Sequence, residues 1–344
     1  MPMLFTPITL REMDVRNRVV MPPMCQYSAA SDGMANDWHL SHYMSRAVGG
    51  AGLIIMEATA VTPGGRITDN DLGIWSDGHV PMLRRIAAKV RSEGARVGIQ
   101  IAHAGRKSMA TESTPVAPSA AAFDDGYKNP AELSTDEIKK IVTAFAGAAK
   151  RAHTAGFDLV EIHAAHGYLL NEFISPITNK RRDRYGPTPE DRVRLLKEVI
   201  RAVREQWPEE KPVSVRISAI DYAPGGIELK DSLDVVGRLE NEGVDIWHIS
   251  SGGITPEAAP SDHPGYQVPY SDEIKNRLNV KTITVGKICS PEMAEEIVAN
   301  SRADMVALGR ELLRNPYWPL HAARKLGYDM KWPKQYERAK IQGS

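Results

Sequence analysis

Only two cysteines, Cys25 and Cys289, occur in the 344 residues. Two thiols cannot build a disulfide framework, neither belongs to a CxxC pair, and an iron–sulfur cluster is excluded on cysteine count alone. Both are expected as reduced thiols in a reducing compartment. Net charge is missing as well: 43 Lys plus Arg balance 43 Asp plus Glu. With no basic block along the chain, nucleic-acid binding finds no support. No apolar run approaches the roughly 20 residues that span a bilayer. The N-terminal MPMLFTPITL lacks the charged start and long apolar run of a signal peptide. A cytoplasmic protein with no membrane partner is therefore expected. A dinucleotide fingerprint is absent too, because Gly49, Gly50 and Gly52 precede a strand candidate, whereas a GxGxxG loop follows one. There is no Walker A motif. A nicotinamide cofactor would visit such a protein as a substrate.

What is present is a regular alternation of short apolar runs and amphipathic stretches. Strand candidates lie at 17–24, 52–61, 97–103, 157–165, 213–219, 245–252, 282–288 and 304–310. Each is rich in Val, Ile or Leu and short enough for a strand buried on both faces. Between them, Ser134 with Glu137 three residues on forms a capping box. It opens a helix to about residue 155, with Ile138, Ile141, Val142, Phe145, Ala148 and Ala149 at helical spacing. Thr188-Pro189 and Ser290-Pro291 place Pro at the first helical position. Gly94, Gly156 and Gly243 are read as helix-stop glycines. Eight β/α units predict a (β/α)8 TIM barrel in one domain, 1–344; a doubly wound open sheet is the alternative. Two longer segments, 105–133 and 253–270, follow strand ends, where a barrel keeps its active-site loops.

The densest chemical signal is Glu161-Ile162-His163-Ala164-Ala165-His166-Gly167-Tyr168. Alternation puts Glu161 and His163 on one face of the fourth strand. His166 and Tyr168 follow at its C-terminal end. Two imidazoles and a phenol there could polarise an oxygen and deliver a proton, or simply pack as a hydrogen-bonded cluster. The seventh and eighth strand candidates end in Val285-Gly286-Lys287 and Leu308-Gly309-Arg310. These are the two units that commonly bind phosphate in barrels, although strand-end turns with a surface Arg would look the same. Gln100 and Arg216 are polar residues inside apolar strands. They are either satisfied core groups or side chains turned into the barrel mouth. Cys25 follows Pro22-Pro23-Met24. On its own it reads as a small buried hydrophobe, and beside a redox ring it could tune potential. Tyr27 would face the same way if the chain stays extended.

Together these blocks resemble the Old Yellow Enzyme family of FMN-dependent ene-reductases, in its thermophilic-like NADPH dehydrogenase branch. The matching blocks are Asn17-Arg18 through Pro23-Met24-Cys25-Gln26-Tyr27-Ser28, Glu57-Ala58-Thr59-Ala60-Val61, Gly65-Arg66-Ile67-Thr68 and His103-Ala104-Gly105-Arg106-Lys107. The His163–Tyr168 block, Gly265-Tyr266-Gln267, Gly309-Arg310-Glu311-Leu312-Leu313 and Gln335-Tyr336-Glu337-Arg338 follow. They run in order from about residue 4 to 338, almost the whole chain.

The resemblance implies FMN in the barrel mouth. Pro22, Pro23, Met24, Cys25, Ala58 and Gln100 would contact its ring, Arg216 would lie near N1 and O2, and Gly286, Gly309 and Arg310 would hold its phosphate. NADPH, or NADH, would reduce it and leave. An α,β-unsaturated carbonyl compound, an enone or enal, would then take the same place. His163 and His166 would donate to its oxygen, flavin N5 would supply hydride and Tyr168 the proton. Tyr27 and Lys107 would line the substrate pocket, and Cys25 would modulate the flavin. Arg338, in a tail at about 326–344, would reach a neighbouring subunit's site, which implies a homodimer or a homotetramer built from dimers. One departure is Pro22, which stands where many relatives carry Ser and removes a hydroxyl from the ring's surroundings. Two other readings are kept: a non-redox phosphate-binding barrel lyase or aldolase with Lys107 as Schiff base, and a flavin-binding protein without turnover.

Overall fold

Eight short parallel strands close on themselves in the computed structural model, which describes residues 1–258, 260 and 263–340. They are β1 (Val19–Met21), β2 (Leu53–Ala60), β3 (Arg96–Ala102), β4 (Leu159–Ala164), β5 (Val213–Ser218), β6 (Ile246–Ser250), β7 (Thr282–Thr284) and β8 (Met305–Ala307). Spatial order follows chain order. β8 pairs back onto β1 through Val306↔Val19 and Ala307↔Val20. Closure leaves this eight-stranded sheet without an edge, so the fold is a TIM barrel and the open-sheet alternative fails. All eight candidate runs hold a strand, seven of them falling within the run and β3 starting one residue earlier, at Arg96. β1 stops before Pro22 and Pro23, which have no N–H for the ladder. Gly309 and Arg310, read as a strand end, instead begin a helix.

The helices are α1 (Asp37–Val48), α2 (Val80–Ser92), α3 (Thr135–Ala155), α4 (Leu169–Ile174), α5 (Pro189–Gln206), α6 (Leu229–Arg238), α7 (Val268–Leu278), α8 (Pro291–Ala299), α9 (Gly309–Arg314) and α10 (Trp318–Lys325). Their start signals act as the sequence suggests. Ser134 Oγ accepts the Glu137 N–H at 3.3 Å while Glu137 Oε2 accepts the Ser134 N–H at 2.8 Å. Gly156 ends α3 in the left-handed region at φ 85°. In α3 the residues Ile138, Ile141, Phe145, Ala148 and Ala149 are buried against the strands, with Val142 at the stripe's edge. No helix among the described residues is long and apolar enough to cross a membrane.

The barrel interior is graded from apolar to polar. Leu53, Leu159, Ile246 and Met305, each the first residue of its strand, pack with Val20, Ile55 and Ile283. A small antiparallel hairpin, Ile8–Leu10 with Met13–Val15, closes that end with Ile8, Leu10, Met13 and Val15. The hairpin escapes a sequence reading because three-residue strands are too short to display a period. Toward the C-terminal ends the lining turns polar. Gln100 registers with Glu161 and Glu161 with Ser214, while His163 registers with Arg216 and Arg216 with His248. A bulge in β2 sets the neighbouring register. Met56 pairs with Ile99 and Ala58 with Gln100, so Glu57 is the extra residue.

The Ser134 cap can be tested alone. Ser134→Ala should cost about 1 kcal/mol, read as a lower denaturant midpoint at unchanged slope.

Candidate active site

Glu161 sits fully buried at the centre of the polar layer. Its Oε1 accepts from Gln100 Nε2 at 2.8 Å. Its Oε2 accepts from Ser214 Oγ at 3.0 Å and from His248 Nδ1 at 2.9 Å. Burial alone would push this carboxyl up. His248, Arg216 and the Ser214 hydroxyl outweigh it and hold the group down at about 2, so it is a carboxylate at neutral pH. Arg216, 7% exposed, makes no hydrogen bond or ion pair among the described residues, and its Nε is buried without a partner. It is an uncommitted cation beside a committed anion.

His163, His166 and Tyr168 are brought together. The His163 ring meets the His166 ring edge-on at 5.2 Å between centroids and the Tyr168 ring at 5.0 Å. The Ala165 N–H donates to His163 Nδ1 at 3.3 Å, so the His163 proton is on Nε2. Gln267 Nε2 donates to Ser250 Oγ at 3.2 Å, and Ser250 Oγ meets His166 Nε2 at 2.7 Å. With the Ser250 hydroxyl donating in that contact, the His166 proton is on Nδ1. Neither N–H has a protein partner among the described residues. Burial holds both imidazoles below their ordinary range, His163 at about 3. Burial also raises the Tyr168 phenol well above its own. All three groups are neutral donors at physiological pH.

The loops that carry them are locked backbone to backbone. His166 is left-handed at φ 60°. A Cβ at Gly167, φ 71°, would fall 2.1 Å from the Gly253 carbonyl oxygen. Lys107 Nζ donates to the His166 and Gly253 carbonyls at 3.1 and 3.2 Å. It also stands 5.2 Å from the Tyr168 ring centroid. Burial lowers this ammonium to about 8. The neighbouring Arg106 holds the Ile254 carbonyl at 2.5 Å.

A cavity of about 490 Å³ opens beside this layer. Among the candidate residues it is lined by Pro22, Pro23, Met24, Arg216, Gly286, Gly309 and Arg310, and Ser250 joins it to His166. Ala58, the register partner of Gln100, lines instead a small cavity shared with Tyr168. Cys25 is partly buried and its thiol is pushed up by burial. The expectation of an extended chain from Cys25 to Tyr27 fails. Tyr27 adopts φ 50° and is 52% exposed, although its phenol still meets the Cys25 thiol. Arg338 is exposed in the short 3-10 turn Lys334–Ala339 and joins no part of the site within the chain. The last residues of the expected tail, 341–344, lie outside the described residues.

Several groups were not singled out from sequence. Ser250, Gln267 and His248 set tautomers and charge across long separations. Glu57, the bulge residue, accepts the Gln26 N–H at 2.7 Å and the Tyr43 hydroxyl at 2.8 Å, and so fixes the turn after Cys25. Burial raises Glu57 to about 7. The one available signal was a charged residue within an apolar run, and it applies to Glu57 and Glu161 as it did to Arg216.

Comparison with known proteins agrees with this geometry. A family model described as NADH:flavin oxidoreductase / NADH oxidase matches residues 3–328. An NADPH dehydrogenase of Clostridium acetobutylicum is 52% identical over 337 residues, covering 98% of this chain and 99% of that protein. The solved structure of an old yellow enzyme homologue from Zymomonas mobilis superposes with a TM-score of 0.82 at 29% identity, covering 100% of this chain and 97% of its own. A 2-naphthoyl-CoA reductase complex superposes with a TM-score of 0.89 at 25% identity over 95% of this chain, which spans about half (52%) of that protein's length.

The His163 ring should stay neutral between about pH 5 and 8, read as constant imidazole shifts in NMR, where an exposed ring titrates near 6.5. The unfolded chain takes up this proton first as pH falls. The associated stability is therefore complete above about pH 6.5 and declines toward pH 3.

Proposed function

The chain belongs to the NADH:flavin oxidoreductase / NADH oxidase family, and from that premise we propose that its mouth receives an electron-poor alkene against two neutral imidazoles and a phenol. The protein is an FMN-dependent NAD(P)H oxidoreductase of the ene-reductase kind. Its substrates are small molecules; enones and enals are the class the site suits best. The carrying observation is that His163, His166 and Arg216 all keep donors without protein partners in one buried layer.

The residues fit FMN. The cavity falls within the usual range for cofactor pockets. Arg216 is a buried cation without a partner, and the Gln100 amide is oriented by Glu161. At the other end, a Cβ built on Gly309 would meet nothing nearer than Met24 Sδ at 3.7 Å. That leaves backbone and room for a phosphate, with Arg310 alongside. Pro22, Pro23, Met24, Cys25, Ala58 and Gln100 would contact the ring, Arg216 its imide edge, and Gly286, Gly309 and Arg310 the phosphate. FMN, when bound, supplies the hydride it has taken from NADPH or NADH.

His163 Nε2–H and His166 Nδ1–H would converge on the acceptor's carbonyl oxygen. Negative charge grows there during reduction, so donors already in place act most strongly in the transition state. Being neutral, they need lose no proton. Tyr168 gives its Oη proton to the alkene carbon next to the carbonyl. The Lys107 ammonium near its ring stabilises the phenolate that remains. Tyr27 and Lys107 border the acceptor. Lys107 is less suited to a Schiff base, since its Nζ is bound to two carbonyls. Turnover, rather than flavin binding alone, is favoured by the proton donor beside two unpartnered N–H groups. Arg338, exposed and uncommitted, would complete the site of a second copy in a homodimer or homotetramer.

Tyr168→Phe should slow reoxidation by cyclohexenone about 100-fold or more and leave reduction by NADPH nearly unchanged. Stopped-flow absorbance separates the steps, and equal slowing of both would remove Tyr168 from its role. Arg338→Ala should raise KM for the alkene several-fold at unchanged kcat and oligomer mass, read by light scattering alongside kinetics. An Arg338→Ala protein with parental KM would place the residue outside the site.

A further inference from the structure

Beside Tyr168 lies a second and much smaller cavity, bordered also by Ala58 of β2, a proposed ring contact. Its volume is about 10 Å³, room for about one water molecule. Tyr168 and Asp71 both line it, with Ala60, Arg66, Ala102 and Ala104 among the other walls. Asp71 is 1% exposed. Its Oδ2 accepts the Thr68 N–H at 2.7 Å, and its Oδ1 is buried without a well-formed hydrogen bond, the Ile67 N–H and the Thr68 hydroxyl lying near the carboxyl. An orphaned carboxyl oxygen at this depth is costly unless water or a proton occupies it. Tyr168 and an Asp71 with an orphaned oxygen thus border one small space.

We propose that Asp71, through one water in this cavity, returns to Tyr168 the proton that the phenol loses in each turnover. The inference rests on Tyr168 being the proton donor. The water gives a proton to Tyr168 Oη as the Asp71 carboxyl gives its own to that water. Phenol and water are restored, Asp71 is left as carboxylate, and bulk water reprotonates it. Each reduction thus consumes one solvent proton, which the addition of hydride and proton across C=C requires.

The electrostatics around Asp71 suit a carboxyl that holds a proton part of the time. Burial is the main influence and raises it to about 6, against hydrogen bonds from Thr68 and Ile67 and the Arg66 charge. The other ionisable groups that feel it are Cys25 and Tyr27 after β1, Glu57 in β2 and Tyr168 after β4. Apart from Arg66 these are acids or neutral at physiological pH, so none draws the proton away as a counter-cation would.

The test uses FMN-loaded protein and cyclohexenone with saturating NADPH. In Asp71→Asn the first product per site should form at the parental rate, followed by a steady state about tenfold slower or more. The resulting burst should be absent from the parent. Ala60→Val, which fills the cavity without changing an ionisable group, should produce the same burst, and it decides the matter if Asp71→Asn does not fold. An independent readout is the infrared difference between parent and Asp71→Asn without substrate, whose carboxylic-acid component should titrate near pH 6, apart from that of Glu57 near 7. No burst in either variant, or a first turnover slowed as much as later ones, overturns the relay. If Tyr168→Phe reduces cyclohexenone at the parental rate, the donor assignment itself fails, a result distinct from failure of the relay.

Discussion

A single buried carboxylate, Glu161, makes the polar half of this barrel possible. Gln100, Ser214 and His248 donate to it from the flanking strand β3 and from β5 and β6. Its charge also balances Arg216, which has no other counter-ion among the described residues. Removing one member of a buried pair leaves the other uncompensated at a cost of several kcal/mol. The layer therefore stands or falls as a unit. Closure of the sheet is what lets residues from four strands share one carboxyl group, because parallel register brings Gln100, Glu161 and Ser214 side by side.

One level higher, the catalytic candidates depend on loops that do not bend independently. The turn after β3 supplies Arg106 and Lys107, whose side chains grip the carbonyls of the loops after β4 and β6. The close approach of Gly167 to Gly253 admits no side chain. His166 is thereby held in a left-handed conformation, uncommon for residues other than glycine but easier for His than for a β-branched side chain. In the proposed role, fixed donors would need no reorganisation when charge develops on an acceptor.

Much of this was legible before any coordinates. Strands buried on both faces read as continuous apolar runs, so all eight could be found. The capped helices announced themselves through Ser134, Thr188 and Ser290. The His163–Tyr168 cluster was visible because its members are adjacent in sequence. What stayed hidden depended on distance along the chain or on local twist. His248 is 87 residues from Glu161, and Ser250 is 84 residues from His166. No local pattern links them. The turn at Tyr27 has no Gly to signal its positive φ. The β2 bulge changes register at Glu57 without altering the composition of the strand. The hairpin at the barrel floor was missed because six strand residues carry too little periodicity.

That floor has a kinetic corollary. With Ile8, Leu10, Met13 and Val15 sealing one end, the cavity opens at the other, beside Pro22, Gly286 and Gly309. If reductant and acceptor take the same place there, as proposed, each is barred while the other is inside. Double-displacement kinetics, with either compound acting as a dead-end competitor when in large excess, would then follow.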